Sequence, residues 1–273
     1  MLDALSYDFI QHAIMAAVLA SIACGIIGTL VVVNRLTFLA GGVAHAAYGG
    51  IGIAVYAGLP FLPCTIIFSL ASSLIMARLS FRHHERADAA IGVLWAAGMA
   101  LGIILLDLTE GYRADFMSFL FGSILTVPMA DLYFMLAVDA ILLLIIACTH
   151  QALLVVSFDR DFAEARGLPV RALHMLIIAM AAITIVMLMR VVGLILIMAL
   201  LTIPSFMART ASSLPAMMLR SSLWALFFCL TGLALSYEFD ISSGAAIIAV
   251  AVISFGLKFL LKFPSQLDML PFR

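Results

Sequence analysis

What this sequence has least of is charge. Asp, Glu, Lys and Arg make up 11% of its 273 residues, and the formal net charge is −1. A soluble domain carries roughly 25% charged residues, so this chain cannot build a solvated surface of ordinary extent. The near-neutral balance also leaves no basic face for nucleic acid. Cysteine is scarce. Cys24, Cys64, Cys148 and Cys229 stand apart with no C-x-x-C spacing, which excludes the usual zinc and redox motifs and leaves them as small apolar residues. No G-x-x-x-x-G-K-[ST] stretch occurs, so the chain has no phosphate loop with which to hydrolyse ATP. No polar stretch is long enough for a separate soluble domain, and any energy-converting domain must sit on another chain. The opening MLDALSYDF is acidic. It lacks the basic region of a signal peptide, so the first apolar segment is expected to be retained.

What remains is 66% hydrophobic, with a mean hydropathy of +1.24. This composition predicts an all-α, polytopic membrane protein, with a single transmembrane domain over 1–273. About 20 apolar residues cross a bilayer as a helix. Spans are expected near 10–33, 39–57, 61–80, 88–107, 131–149, 171–189, 191–209, 216–236 and 243–262. That makes about nine, or eight if 171–209 is one broken helix, since only Met189-Arg190-Val191 separates its halves. Alternate loops carry the Arg and Lys residues: Arg35, then Arg78, Arg82 and Arg86, then Arg160, Arg166 and Arg171, then Arg209 and Arg220, then Lys258 and Lys262. The positive-inside rule therefore puts the N-terminus outside and the C-terminus in the cytoplasm, with Arg190 the one violation. The segment 114–125, ADFMSFLFGSIL, is apolar but too short to cross. It reads as a re-entrant or interfacial helix buried in protein or lining a cavity.

The longest polar run is SFDRDFAEARGLPVR, 157–171. Asp159 suits an N-cap, Asp161 and Glu164 follow in the helix, Gly167 suits the position after its end, and Pro169 blocks continuation. A short cytoplasmic helix is expected there. It is either a plain connector or a docking element whose apolar anchors are Phe158, Phe162 and Leu168.

This loop, and MRVVGLILIMALLTIPSFMAR (189–209) after it, resemble the membrane-spanning permease subunits of ABC importers for zinc, manganese or iron. RADAAIGVLWAAGMALGIILL (86–106), DFMSFLFGSIL (115–125) and LSYEFDISSGAAIIAV (235–250) are similar to further motifs of that family, in order along nearly the whole chain. The resemblance implies a type II ABC importer fold with broken helices along a central path, in a bacterial inner (plasma) membrane. It implies two permease copies, a cytoplasmic ATPase dimer and an extracytoplasmic metal-binding protein. Phe158, Asp159, Phe162, Glu164, Gly167 and Pro169 would then form the element that couples to the ATPase. No tightly bound cofactor is implied, only a transported divalent metal.

One apolar segment, LAGGVAHAAYGGIG (39–52), holds an ionisable residue among five glycines. On a helix Gly41, His45, Tyr48 or Gly49, and Gly52 form one stripe, which lets a helix or a substrate come close. Intramembrane ionisable residues are functional candidates by default, and neutral imidazole is a common metal ligand. His45 is therefore the candidate metal contact, with Gly41, Tyr48, Gly49 and Asp139 as candidate path residues. The resembling family carries a histidine here, in a pattern close to G-D-A-x-x-H-A-x-x-P-G. This chain departs from it: Gly41 stands at the aspartate and Gly49 at the proline. Losing a hard oxygen donor one turn from the histidine favours zinc over manganese, and leaves a non-metal cargo open. Asp139 is the one clear carboxylate within a span, and could replace the missing charge or serve a broken helix. Glu238, Asp240 and Asp115 would form an acidic outer vestibule that concentrates cations. A secondary transporter working without an ATPase is the alternative from another class. It would call for an inverted internal repeat, and none is convincing here.

Overall fold

The computed structural model describes residues 8–82, 87–109 and 127–267, with Gly122 and Ile124 between the last two stretches. The helix expected at 114–125, with Asp115, otherwise lies outside the described residues. In lipid a backbone N–H or C=O has no water to bond, so uncharged apolar runs are forced to satisfy themselves as helices. Ten α-helices result among the described residues: α1 (Asp8–Val33), α2 (Thr37–Tyr56), α3 (Phe61–Arg82), α4 (Ala87–Asp107), α5 (Met129–Phe158), α6 (Arg160–Ala165), α7 (Val170–Val191), α8 (Leu194–Met207), α9 (Leu214–Phe239) and α10 (Ser243–Leu267). Eight are long and apolar enough to cross a membrane. The fifth span continues to Phe158 instead of stopping near 149.

The region 171–209 breaks at Val192–Gly193, where Gly193 takes φ +79. This left-handed backbone suits glycine. Its two halves are unequal: α7 has 22 residues and α8 only 14, followed by a 3-10 turn at Ala208–Thr210. The ends of the two show that the chain reverses there. α7 begins just after α6, and the 209–214 segment that follows α8 lines one groove with Phe158, Asp159 and Phe162. So α7 climbs about 33 Å and α8 returns with about 21 Å of helix. There are thus eight helices of spanning length, plus a ninth that returns and is short.

α1, α2 and α7 are buried along most of their length. α1 packs on α9 and α8, α2 on α4 and α3, α7 on α3 and α5, and α10 on α9 and α8. Close approach depends on glycine. A Cβ on Gly98 would lie 2.7 Å from Ala46 Cα, one on Gly52 would lie 2.6 Å from Gly102 Cα, and one on Gly102 would fall on the Tyr48 carbonyl. Gly98 and Gly102 form a G-x-x-x-G pair, and α2 packs on it at backbone contact. The Asn34 Nδ2 donates to Ser157 Oγ at 2.9 Å, which joins the α1–α2 turn to the end of α5. Lys258 donates to the Met207 carbonyl, so a cation on α10 caps the C-terminal end of α8.

Candidate functional site

His45 sits in the third turn of α2, half-buried. A helical side chain leans toward the N-terminus of its helix, and His45 leans back over the turn of Gly41. Its Nδ1 lies 2.8 Å from the Gly41 carbonyl oxygen. A carbonyl can only accept, so Nδ1 carries the proton and Nε2 keeps its lone pair. The face of the ring is held as well. Trp95 of α4 lies against it, with ring centroids 4.1 Å apart and planes 36° from parallel. Trp95 is itself fixed, with its indole N–H donating to Met99 sulfur at 3.1 Å and Phe38 beside it at 6.3 Å. The imidazole is thus tied by one nitrogen and one face, and Nε2 is the nitrogen whose lone pair could meet a ligand.

The sequence-predicted stripe divides on inspection. Tyr48 is fully buried, and Gly49 packs against Phe68 and the Gly98 carbonyl. Those positions knit α2 to α3 and α4. Gly41 is different. Its nearest neighbour is the tip of Met198 from α8, which a Cβ would meet at 3.1 Å for Cε and 3.5 Å for Sδ. Sequence reasoning did not single out Trp95 or Met198. Trp95 carried a weak signal, being one of only two tryptophans. Met198 carried none, being one of sixteen methionines.

Asp139 lies in another layer, on α5, which packs against α1 and α7. It is 3% exposed, and among the described residues neither of its carboxyl oxygens has a hydrogen-bond partner. Burying a carboxyl without partners is costly, and a hydrophobic residue of similar size removes that cost. Asp139→Leu is therefore expected to melt at the same temperature as the wild type or a few degrees higher, read by thermal unfolding of the purified subunit. A clear fall would mean that Asp139 holds a neighbour in place. Among the described residues, no three His, Cys, Asp or Glu side chains converge as a metal cluster. Glu238 and Asp240 are exposed at the α9–α10 turn.

The 157–171 loop folds as its residues dictate. Asp159 caps α6 by accepting from the Phe162 N–H at 2.9 Å. Gly167 takes φ +74. Leu168 N–H then reaches the Ala163 carbonyl at 3.0 Å and Gly167 N–H the Glu164 carbonyl at 2.9 Å, which closes a Schellman motif. Pro169 stands at the cap of α7. Ala163 is buried against the bundle while Phe158 is 73% and Phe162 50% exposed. Arg166 lies 5.5 Å from the Phe162 ring centre. Beside this helix runs a groove of about 550 Å³, walled by Leu154, Phe158 and Phe162 on one side and by Arg209, Leu214 and Met217 on the other. Its second wall, the α8–α9 turn, was not predicted as part of a docking surface. Only the fold brings it there.

The model of the ABC 3 transport family matches residues 6–262. An uncharacterized membrane protein of Synechocystis sp. is 47% identical, over 93% of this chain and 91% of its own. A manganese transport system membrane protein of Halalkalibacterium halodurans is 32% identical, over 93% of this chain and 88% of its own. Among solved structures, PsaBC from Streptococcus pneumoniae in complex with a Fab matches with a TM-score of 0.84 and 30% identity, covering 93% of this chain and 92% of that one.

Proposed function

The chain belongs to the ABC 3 transport family, and on that premise we propose that it is the membrane-spanning subunit of an ATP-driven importer of a divalent metal ion. Two copies enclose the path. A separate ATPase dimer supplies the energy, since this sequence has no phosphate loop. An external binding protein delivers cargo at the end that carries Glu238 and Asp240. The end that carries α6 and the 209–214 turn faces the cytoplasm, in keeping with its arginines. There α6 is the coupling element, and its exposed Phe158 and Phe162 are the anchors for the ATPase.

The observation that carries this reading is His45. It is an intramembrane imidazole whose Nδ1 is committed to the Gly41 carbonyl and whose Nε2 is left as a donor. A carbonyl that holds one ring nitrogen fixes the tautomer and turns the other nitrogen toward a metal. For the cargo we favour zinc, with manganese as the rival that the Halalkalibacterium relative's name raises. An imidazole donor without a neighbouring carboxylate suits zinc better than a hard, oxygen-seeking ion.

His45→Ala is expected to abolish metal uptake in cells that depend on this importer, with the subunit still present in the membrane at wild-type level. Unchanged uptake of zinc, manganese and iron in that variant would remove His45 from the path and the reading with it.

A further inference from the structure

The place beside His45 where a side chain of residue 41 would project is not empty. The thioether of Met198 fills it. We infer that Met198 is a specificity-determining residue of the transport path, and that its sulfur joins the His45 imidazole to make a nitrogen–sulfur contact selecting borderline and soft cations, zinc above all, against hard ones such as manganese. This rests on the proposed role of His45 and names the cargo class more narrowly.

Three observations converge on one helical turn. Residues 41 and 45 are neighbours on one face of α2, with about 5–6 Å between Cβ positions at this spacing. The His45 ring leans back over that turn, as its 2.8 Å approach to the Gly41 carbonyl requires. Met198 reaches the same turn from α8, with Sδ 3.5 Å and Cε 3.1 Å from where a Gly41 Cβ would stand. The side chains that meet there are an imidazole, whose lone pair lies on Nε2 because Nδ1 holds the Gly41 carbonyl, and a thioether. Among the described residues, no cluster of three His, Cys, Asp or Glu supplies an alternative. Imidazole suits zinc, copper, iron and nickel, and sulfur donors shift preference further from manganese, magnesium and calcium, which want carboxylate and water. A second copy would double the set to two nitrogens and two sulfurs, the four-donor count that zinc accepts.

Gly41 and Met198 are on this account one device. A Cβ at 41 would press on Met198 Cε at 3.1 Å, so a carboxylate there asks the Met198 tip to shift. Met198 also lies on the short helix α8, five residues past the Gly193 reversal, so movement of α8 would carry the sulfur toward or away from the ring.

The plain rival is that Met198 only fills a gap, as methionine often does. Leucine separates the two, because it keeps the volume and loses the sulfur. The experiment measures zinc and manganese uptake by the complete transporter, this subunit with its ATPase and binding protein, in cells stripped of other importers. The wild type is expected to carry zinc in preference to manganese. Met198→Leu should reduce zinc uptake by about tenfold and leave manganese within about twofold of wild type. The double variant Gly41→Asp with Met198→Ala, which opens room for the carboxylate, should reverse the preference. The inference is overturned if Met198→Leu leaves the zinc-to-manganese ratio unchanged, or if the wild type prefers manganese. His45→Ala run alongside keeps the two claims apart. Loss of uptake there with no effect of Met198→Leu ends the sulfur's role and keeps the histidine's. No effect in either variant ends both.

Discussion

Gly102→Val is expected to remove folded protein from the membrane, although residue 102 touches neither His45 nor the groove beside α6. A Cβ at 102 would fall on the Tyr48 carbonyl, and one at its neighbour Gly98 would stand 2.7 Å from Ala46 Cα. These are backbone atoms of a buried helix, so no side chain can rotate away. α4 would have to leave α2. Overpacking of a tight core typically costs about 1–3 kcal/mol, and it costs more where backbone must move. That is a large part of the 5–15 kcal/mol that typically holds a domain. Separating α2 from α4 would also take Trp95 off the His45 ring, so the molecules that do fold would hold an imidazole tied by Nδ1 alone. The measurements are the yield of monodisperse subunit in detergent and its melting temperature, beside Gly92→Val as a control. A Cβ on Gly92 meets nothing within 4 Å, so that variant should express normally. Equal yields for the two would show that α2 and α4 tolerate separation and that the glycine pair is not what joins them.

The sequence conveyed this architecture unevenly, and the reasons are physical. Spans were legible because lipid imposes one rule on every apolar run, so α1, α2, α3 and α4 begin and end within a few residues of where hydropathy put them. The 159–169 turn was legible in more detail. Capping chemistry is local: Asp159, Gly167 and Pro169 each state their own geometry. The break at 192–193 was visible only as an ambiguity. Hydropathy registers how apolar a segment is but not whether it doubles back, and that is decided by Gly193 and by where the chain must arrive at Arg209. The glycines of α2 and α4 showed that something comes close without showing what. They proved to serve helix packing at 49, 52, 98 and 102, and a methionine tip at 41. Met198 could not be read at all. Its significance lies in a contact between α2 and α8, more than 150 positions apart in the chain, and nothing in MALLTIP distinguishes it from the methionines that only pack. Asp139 stood out as a charge in a span. Hydropathy put it in the fifth span, but did not reveal that this helix, α5, packs against α1 and α7 rather than against α2.

The second large effect is expected at the end of the bundle that carries α6, where, on the proposed function, Phe162→Ala should separate the subunit from an ATPase partner. α6 has six residues, too few to be stable alone. It is held by its Asp159 cap, its glycine end and the buried Ala163. Those contacts fix the helix and leave Phe162 50% exposed, with Arg166 5.5 Å from its ring centre. An aromatic ring held rigid on a surface, with a guanidinium beside it, is the composition of a binding hot spot. Truncating such an anchor costs about 2 kcal/mol or more, which is roughly thirtyfold in affinity. Retention of the ATPase on purified subunit should fall by that order, and metal uptake should fall with it. Gly167→Val tests the same element by another route. At φ +74 a β-branched residue is strained, so the Schellman end should open and α6 should lose its fixed angle to the bundle. Here the expected result differs. The ATPase still binds through Phe158 and Phe162 but its hydrolysis no longer drives uptake, so ATP turnover persists while transport fails. If both variants retain the ATPase and transport metal as the wild type does, α6 is a connector, and the groove walled by Arg209 and Met217 becomes the surface to test next.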